Sequence, residues 1–100
     1  MANDQPVQLE LGPEGDGVFY MEEEGEPIAE MLFKLRERTM TVYHTEVLPP
    51  VVGKGYAKKL LDEMVRYARE HSYTVRATCP YVLSVFRRHP EQYTDIWTRS

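Results

Sequence analysis

The sequence has a single cysteine, no long apolar run and no excess of basic residues. One cysteine excludes an internal disulfide framework and is typical of a reducing compartment, so we expect a cytoplasmic protein. No apolar run approaches the roughly 20 residues of a membrane-spanning helix. Residues 1–6 have neither the basic nor the apolar region of a signal peptide. We therefore expect no contact with membranes.

Basic charge is also scarce, since the formal net charge is -4. The chain lacks the positive charge that drives non-specific nucleic-acid binding, and we expect no nucleic-acid partner. Acidic residues are concentrated between Asp16 and Glu30, a stretch without lysine or arginine. Such a stretch favours solubility, and attraction of a cationic acceptor is the alternative interpretation.

A chain of 100 residues has room for one domain with one core. We assign residues 1–16 to an N-terminal arm with a first short strand, and residues 17–100 to the single domain. Apolar alternation and β-branched residues predict strands over 7–11, 18–21, 28–35, 39–47 and 73–76. In the fourth of these, a period of two places Met40, Val42, His44 and Glu46 on one face.

Two helices are predicted after the fourth strand. The first covers about 55–71, where an apolar stripe recurs at helical spacing. Pro80 can start the second, which runs to Arg88 and is stopped by His89-Pro90. His71 and His89 are interpreted as helix caps. The element order predicts an α/β or α+β domain, in which the strand 39–47, the long helix and the strand 73–76 form a β-α-β unit.

The turn Gly53-Lys54-Gly55-Tyr56-Ala57 opens the long helix directly after a strand. Glycines permit close approach of the backbone, and the free N–H groups of a helix N-terminus suit a pyrophosphate. Lys54, Lys58 and Lys59 add positive charge. The spacing of a P-loop and the third glycine of a dinucleotide-binding turn are both missing. The structural alternative is a turn that only redirects the chain after Pro49-Pro50.

Four ordered blocks resemble the small single-domain GNAT-like N-acetyltransferases. They are Tyr43-His44-Thr45-Glu46-Val47, Val52-Gly53-Lys54-Gly55-Tyr56-Ala57-Lys58-Lys59-Leu60, Thr78-Cys79-Pro80-Tyr81-Val82 and Arg88-His89-Pro90-Glu91. The resemblance implies a minimal mixed, twisted sheet flanked by two main helices. It also implies acetyl-CoA as cosubstrate without a metal, with the thioester carbonyl in a gap between splayed central strands.

The resemblance further implies which residues hold the cosubstrate. A backbone N–H of Val47 or Leu48 polarises the thioester carbonyl, and the pyrophosphate lies on the glycine turn. The residues expected at that turn are Val52, Gly53, Lys54, Gly55, Tyr56, Ala57 and Lys58. Val52 occupies the Gln/Arg position of the superfamily signature Gln/Arg-x-x-Gly-x-Gly/Ala, which is a departure from it, while Gly55 and Ala57 take its small positions.

Three side chains are candidates for the chemistry. Cys79 precedes a helix N-terminus, which favours a thiolate, and the resemblance places it near the acetyl group. A covalent acetyl-cysteine, a proton donor to the leaving thiolate and a buried small apolar residue all remain open for Cys79. His44 and Glu46 share a strand face and suit a general base or an amine-binding pair.

The predicted function is therefore acetyl transfer from acetyl-CoA to an amine, either a small molecule or a lysine side chain. A non-catalytic CoA-binding module is the alternative, since the same turn can hold CoA without transfer. An interaction protein with a vestigial site is the third possibility. The oligomeric state stays open.

Overall fold

The computed structural model describes residues 6–48, 53 and 55–98. The strands are β1 (Gln8–Leu11), β2 (Asp16–Glu23), β3 (Glu26–Arg36), β4 (Thr39–Val47) and β5 (Thr74–Ala77), and the helices are α1 (Tyr56–Glu70), α2 (Pro80–Arg88) and α3 (Pro90–Tyr93). One five-stranded sheet has the order β1-β2-β3-β4-β5. Its first four strands are antiparallel and β5 is parallel to β4, which confirms the predicted mixed sheet.

The short helix α3 is missing from the sequence prediction. A proline after a helix indicates a stop, and α2 does end at Arg88. Proline also suits the first turn of a new helix, because that turn needs no N–H at its start. Pro90 occupies this position in α3.

β3 lies in the middle of the sheet and alternates as predicted. Ala29, Met31 and Phe33 are buried, whereas Lys34 and Arg36 are exposed. Successive side chains of a strand point to opposite faces, so the buried residues form the centre of the core.

The register between β3 and β4 contains a bulge at Tyr43. Leu32 pairs with His44, but the next residue, Phe33, pairs with Val42. Tyr43 is therefore the extra residue of β4. A bulge of this kind shifts the alternation of the strand by one residue.

Beyond the bulge, the prediction of which β4 side chains share a face with Met40 is wrong. Met40 is buried on the core face, and the sequence period places His44 and Glu46 beside it. In the structure Thr45 pairs with the buried Met31 and takes the core side. His44 and Glu46 share a face, as predicted, but that face is the outer one.

Both main helices pack on the core face of the sheet. The buried side chains of α1 recur at three- and four-residue spacing, and α1 contacts β2, β3, β4 and β5. They are Tyr56, Leu60, Leu61, Met64, Val65 and Ala68. α2 adds Val82, Val85 and Phe86 to the same cluster. Among the described residues, no helix is long and apolar enough to cross a membrane.

The two histidines at helix ends have the predicted structural role. The backbone N–H of His71 caps α1, and its ring Nδ1 lies 2.9 Å from the carbonyl oxygen of Tyr67. The same ring stacks on Tyr73. The N–H of His89 donates to the carbonyl of Val85 at 3.0 Å and ends α2.

The segment 96–98 lies along the outer edge of β5. The N–H of Val75 donates to the carbonyl of Ile96 at 2.6 Å, and the N–H of Thr98 donates to the carbonyl of Val75 at 2.9 Å. Trp97 forms a parallel bridge with Val75 between these bonds. This segment thus acts as a very short additional strand.

Arg69 joins α1 to α3 and to the turn that follows α3. Its Nε donates to Asp95 Oδ2 at 2.9 Å, and its Nη2 donates to the carbonyl of Gln92 at 2.7 Å. The hydrogen bond from Arg69 lowers the pKa of Asp95 below its ordinary value. Both charged groups are about half exposed, so the pair contributes modestly to stability.

We expect Gly17→Ala to lower the free energy of unfolding by about 1–3 kcal/mol. An added Cβ at Gly17 would lie 2.8 and 2.9 Å from Cε1 and Cε2 of Phe33, whose ring is fully buried. Urea unfolding followed by circular dichroism measures the change. Gly25→Asn is the control, because a Cβ at Gly25 meets nothing within 4 Å and asparagine tolerates its positive φ. Equal stability of Gly17→Ala and wild type would contradict the packing.

We expect Asp95→Asn to lower the free energy of unfolding by less than about 1 kcal/mol at neutral pH. Because folding lowers the pKa of Asp95, its contribution is complete above the ordinary carboxyl pKa and is lost as the pH falls through the folded value. As the pH falls through this range, the free energies of unfolding of wild type and Asp95→Asn, measured by urea titration, should converge. In an Arg69→Met background the substitution should have no effect, and a persisting difference would refute the ion pair.

Candidate active site

A gap opens between β4 and β5 at Val42. The two strands pair only over Thr39–Val42 of β4. The carbonyl oxygen of Val42 then accepts hydrogen bonds from the N–H groups of Thr78 and Cys79, each 3.0 Å long. β4 continues past this point, while the chain after β5 turns into α2. A wedge, bounded by residues 43–47 of β4 and by Cys79, therefore opens at this end of the sheet.

Alternate backbone groups of β4 face the wedge. The N–H of Leu48 donates to the carbonyl of Ile28 in β3 at 2.9 Å. In an antiparallel pair, residues alternate between facing the partner strand and facing away from it. Thr45 and Val47 therefore direct their N–H groups away from β3, towards the wedge. Val47 and Leu48 are the two residues expected to donate an N–H to the thioester carbonyl. The geometry favours Val47, because the N–H of Leu48 bonds to β3.

Both described glycines of the turn have left-handed backbone conformations. Gly53 has φ 91° and Gly55 has φ 80°, and Gly55 is the N-cap residue of α1. The positive φ favours glycine at both positions. A Cβ at either one would meet none of the described atoms within 4 Å, so the surface above the turn is open as far as the structure describes it. The predicted residues Val52 and Lys54 lie outside the described residues.

The first turn of α1 has the properties of an anion site. No side chain among the described residues caps it, and it contains no acidic residue. Its first N–H groups have no partner within the helix, and they carry the positive end of the helix dipole. The N–H of Lys59 is the first to bond inside the helix, to the carbonyl of Gly55 at 3.1 Å.

The side chains of this first turn contribute little to the open surface. Tyr56 is buried, so only its backbone can reach a ligand. Ala57 is half-buried. The Nζ of Lys58 donates to Asp62 at 2.9 Å, and this hydrogen bond raises the pKa of Lys58. The ammonium of Lys58 would have to leave Asp62 to reach a phosphate.

Cys79 lies in the wedge, directly before the first residue of α2. It is only 2% exposed, and its Sγ lies 3.1 Å from Thr45 Oγ1 on the opposite side. A threonine hydroxyl cannot remove a proton from a thiol at neutral pH. Sequence reasoning did not select Thr45, because its orientation towards Cys79 depends on the bulge at Tyr43.

His44 and Glu46 form a second group on the outer face of the sheet. His44 Nε2 lies 3.4 Å from Glu46 Oε1, and both side chains are about half exposed. Glu30 pairs directly with Glu46 across β3 and β4. The ligand atoms of Glu30, His44 and Glu46 all lie within 4.8 Å of one another. The structure therefore separates the predicted catalytic residues. Cys79 lies in the wedge against Thr45, whereas His44 and Glu46 lie together on the outer face.

Glu30 is a second residue that sequence reasoning did not select. Its alternation in β3 places it on the outer face, but only the register identifies Glu46 as its partner. A histidine with two carboxylates is a donor set that accepts cations, either a metal ion or an ammonium group.

Solved structures with this fold come from several bacteria. A GCN5-like protein from Staphylococcus aureus matches with a TM-score of 0.70 and 24% identity, over 100% of this chain and 93% of that one. The ribosomal-protein-alanine N-acetyltransferase of Brucella melitensis has a TM-score of 0.60 and 26% identity, over 80% of this chain and 63% of that one. No curated protein matches the sequence significantly.

A third structure shows how much shorter this chain is than some relatives. The ribosomal-protein-S18-alanine N-acetyltransferase of Escherichia coli matches with a TM-score of 0.59 and 15% identity, over 64% of this chain but only 42% of that one. The family model of the GCN5-related N-acetyl-transferases matches residues 18–96, which include every element from β3 to α3 and nearly all of β2. The chain therefore belongs to the GCN5-related N-acetyl-transferase family.

Proposed function

We propose that this protein transfers the acetyl group of acetyl-CoA to a primary amine. Membership of the family supports an acetyltransferase that uses acetyl-CoA. The observation that carries the proposal is the wedge at Val42, which opens beside the uncapped, glycine-led N-terminus of α1. A thioester in the wedge and a pyrophosphate on the turn are the two requirements for an acetyl-CoA site.

The residues of the turn fit the pyrophosphate. Gly53 and Gly55 hold the backbone in left-handed conformations, so their open surface admits a close approach. The N–H groups of Tyr56, Ala57 and Lys58 belong to the first turn of α1 and carry the positive end of its dipole. The binding energy would come mainly from the backbone, which explains why Val52 can replace the Gln/Arg of the signature.

Val47 is the residue we assign to the thioester. Its N–H faces the wedge and would donate to the carbonyl oxygen. A donor placed where negative charge develops stabilises the transition state of acyl transfer. A buried donor is worth more than one in water, and Val47 is half-buried at the rim of the core.

Cys79 is assigned the role of proton donor rather than nucleophile. A nucleophilic cysteine is commonly activated by a neighbouring base, and among the described residues the hydrogen-bond partner of Cys79 is the hydroxyl of Thr45, which is not a base. In the proposed step the neutral amine nitrogen bonds to the carbonyl carbon, the carbon–sulfur bond breaks, and the nitrogen releases its extra proton to solvent. The thiol of Cys79 gives its proton to the leaving CoA thiolate, and solvent returns a proton to Cys79 later.

His44 and Glu46 are assigned to the amine. An amine attacks only as the neutral base, so the ammonium must lose a proton before the carbon–nitrogen bond forms. Glu46 is adjacent in β4 to Thr45 and Val47, which border the wedge. His44 lies 3.4 Å from Glu46 and can pass the proton to water, since both side chains reach solvent.

We expect Gly55→Val to weaken CoA binding at least tenfold, because a branched residue cannot hold this φ without strain and its side chain would project into the bound phosphate. Isothermal titration calorimetry with CoA measures the affinity. Gly25→Val is a matched control: its φ is +82°, close to the +80° of Gly55, and its surroundings are equally open. It should lose similar stability but no CoA affinity. Unchanged affinity in Gly55→Val would refute the turn as the pyrophosphate site.

We expect Cys79→Ala to bind CoA normally and to lower the turnover number roughly 100-fold, since general acid catalysis typically contributes this much. CoA release with a panel of primary amines measures turnover, and Thr45→Val, which keeps the thiol, should retain most of it.

The intact mass of the wild-type protein should show no acetyl adduct after incubation with acetyl-CoA. An adduct on Cys79 that an amine removes would establish the covalent route instead. Full turnover of Cys79→Ala would exclude the cysteine, and CoA binding without any release would indicate a binding module.

A further inference from the structure

A hollow of about 280 Å³ lies where β3 begins and β4 ends. It is lined by Pro27, Ile28, Ala29, Glu30, Glu46 and Leu48. The described lining residues are apolar except for the two carboxylates. Leu48 is 39% exposed, which is high for a leucine, and its side chain forms part of the apolar wall. The hollow therefore combines an exposed apolar surface with concentrated negative charge.

The two carboxylates of the hollow oppose each other. Glu30 and Glu46 are direct partners across β3 and β4, and like charges in this position are unfavourable. His44 lies beside them, 3.4 Å from Glu46. A bound cation would remove the repulsion, so the charge of the hollow selects a positively charged ligand.

Glu30, His44 and Glu46 offer three grouped acceptors to a primary ammonium. An ammonium has three N–H donors in a tripod, and each acceptor lies about 2.8 Å from the nitrogen. Three acceptors at tetrahedral angles are then about 4.6 Å apart. The ligand atoms of Glu30, His44 and Glu46 lie within 4.8 Å of one another. The separation of 3.4 Å between His44 Nε2 and Glu46 Oε1 also equals the ligand spacing of a zinc ion bound at about 2.0–2.1 Å, so the apolar wall beside the carboxylates, and not the spacing, favours an ammonium.

We propose that the amine acceptor is a small monoamine with a compact apolar body, which rests on the acetyl transfer proposed above. Its ammonium binds between Glu30 and Glu46, and its apolar body occupies the wall formed by Pro27, Ile28 and Leu48. Among the described residues, the polar lining consists of these two carboxylates, so a second ammonium on the same molecule finds no further carboxylate among them. The apolar wall beside the carboxylates favours an amine with an apolar body over a bare ammonium ion.

The position of the hollow agrees with this assignment. Glu46 lies in β4 between Thr45 and Val47, the two residues whose N–H groups face the wedge. Consecutive Cα atoms are about 3.8 Å apart, so an amine held by Glu46 is close to the edge of the wedge. Glu30 holds the amine from the neighbouring strand and binds it without taking part in proton transfer.

Binding of phenethylamine to the protein without acetyl-CoA tests the site directly. We expect chemical-shift changes in NMR spectra at residues 27–30 and 46–48, with phenethyl alcohol and methylamine binding at least tenfold more weakly. Glu30→Gln should weaken phenethylamine binding at least tenfold, because it removes one charge and keeps the shape. Glu26→Gln, an exposed acid on the same strand, is the matched control and should change nothing. Leu48→Ala should reduce the preference for phenethylamine over methylamine.

The outcomes separate this inference from the proposed function. Phenethylamine binding that depends on Glu30, without CoA release in the presence of acetyl-CoA, would refute acetyl transfer and leave the amine site standing. CoA release with a lysine peptide or a diamine, unaffected by Glu30→Gln, would overturn the amine site and leave the transfer standing. Binding of Zn²⁺ that is lost in Glu30→Gln, with no amine bound, would also overturn it.

Discussion

The carbonyl oxygen of Val42 receives two backbone hydrogen bonds, from Thr78 and Cys79, at the last point where β4 and β5 touch. These bonds hold the parallel pair together at one place and let the strands separate beyond it. Cys79 is thereby fixed at the rim of the opening, opposite Thr45. One carbonyl group thus determines where the wedge begins and which side chain lies at its mouth.

The bulge at Tyr43 divides β4 into two functional halves. Before it, Met40 and Val42 are fully buried and pair with the core of β3. After it, the strand turns Thr45 inward and His44 outward. The same nine-residue strand therefore contributes to the core, to the wedge and to the acidic hollow on the outer face. Thr45, the partner of Cys79, lies on the core face of β4, and the amine-binding residues His44 and Glu46 lie on its outer face.

Most of the fold follows from local patterns in the sequence. The alternation of Ala29, Met31 and Phe33 specifies β3, and the apolar stripe of residues 57–68 specifies α1, because burial on one face requires these periods. The glycine turn is also visible, since glycine is needed wherever φ is positive. The resemblance to the acetyltransferases adds the splayed strands, which periodicity alone does not indicate.

The site is less predictable than the fold, because its geometry depends on pairing between strands. Tyr43 is as suitable for a regular strand as its neighbours, so nothing local reveals that it is an extra residue. The wrong face assigned to His44 follows directly from this. Glu30 was not identified from the sequence for a related reason, because its pairing with Glu46 depends on the register of β3 and β4.

The short segment after α3 has a protective consequence for the sheet. β5 is an edge strand, and an edge offers unpaired N–H and C=O groups to any other extended chain. Ile96 and Thr98 satisfy both backbone groups of Val75, so this part of the edge is closed to intermolecular strand addition. Loss of residues 96–98 would expose the outer edge of β5 as a template for aggregation.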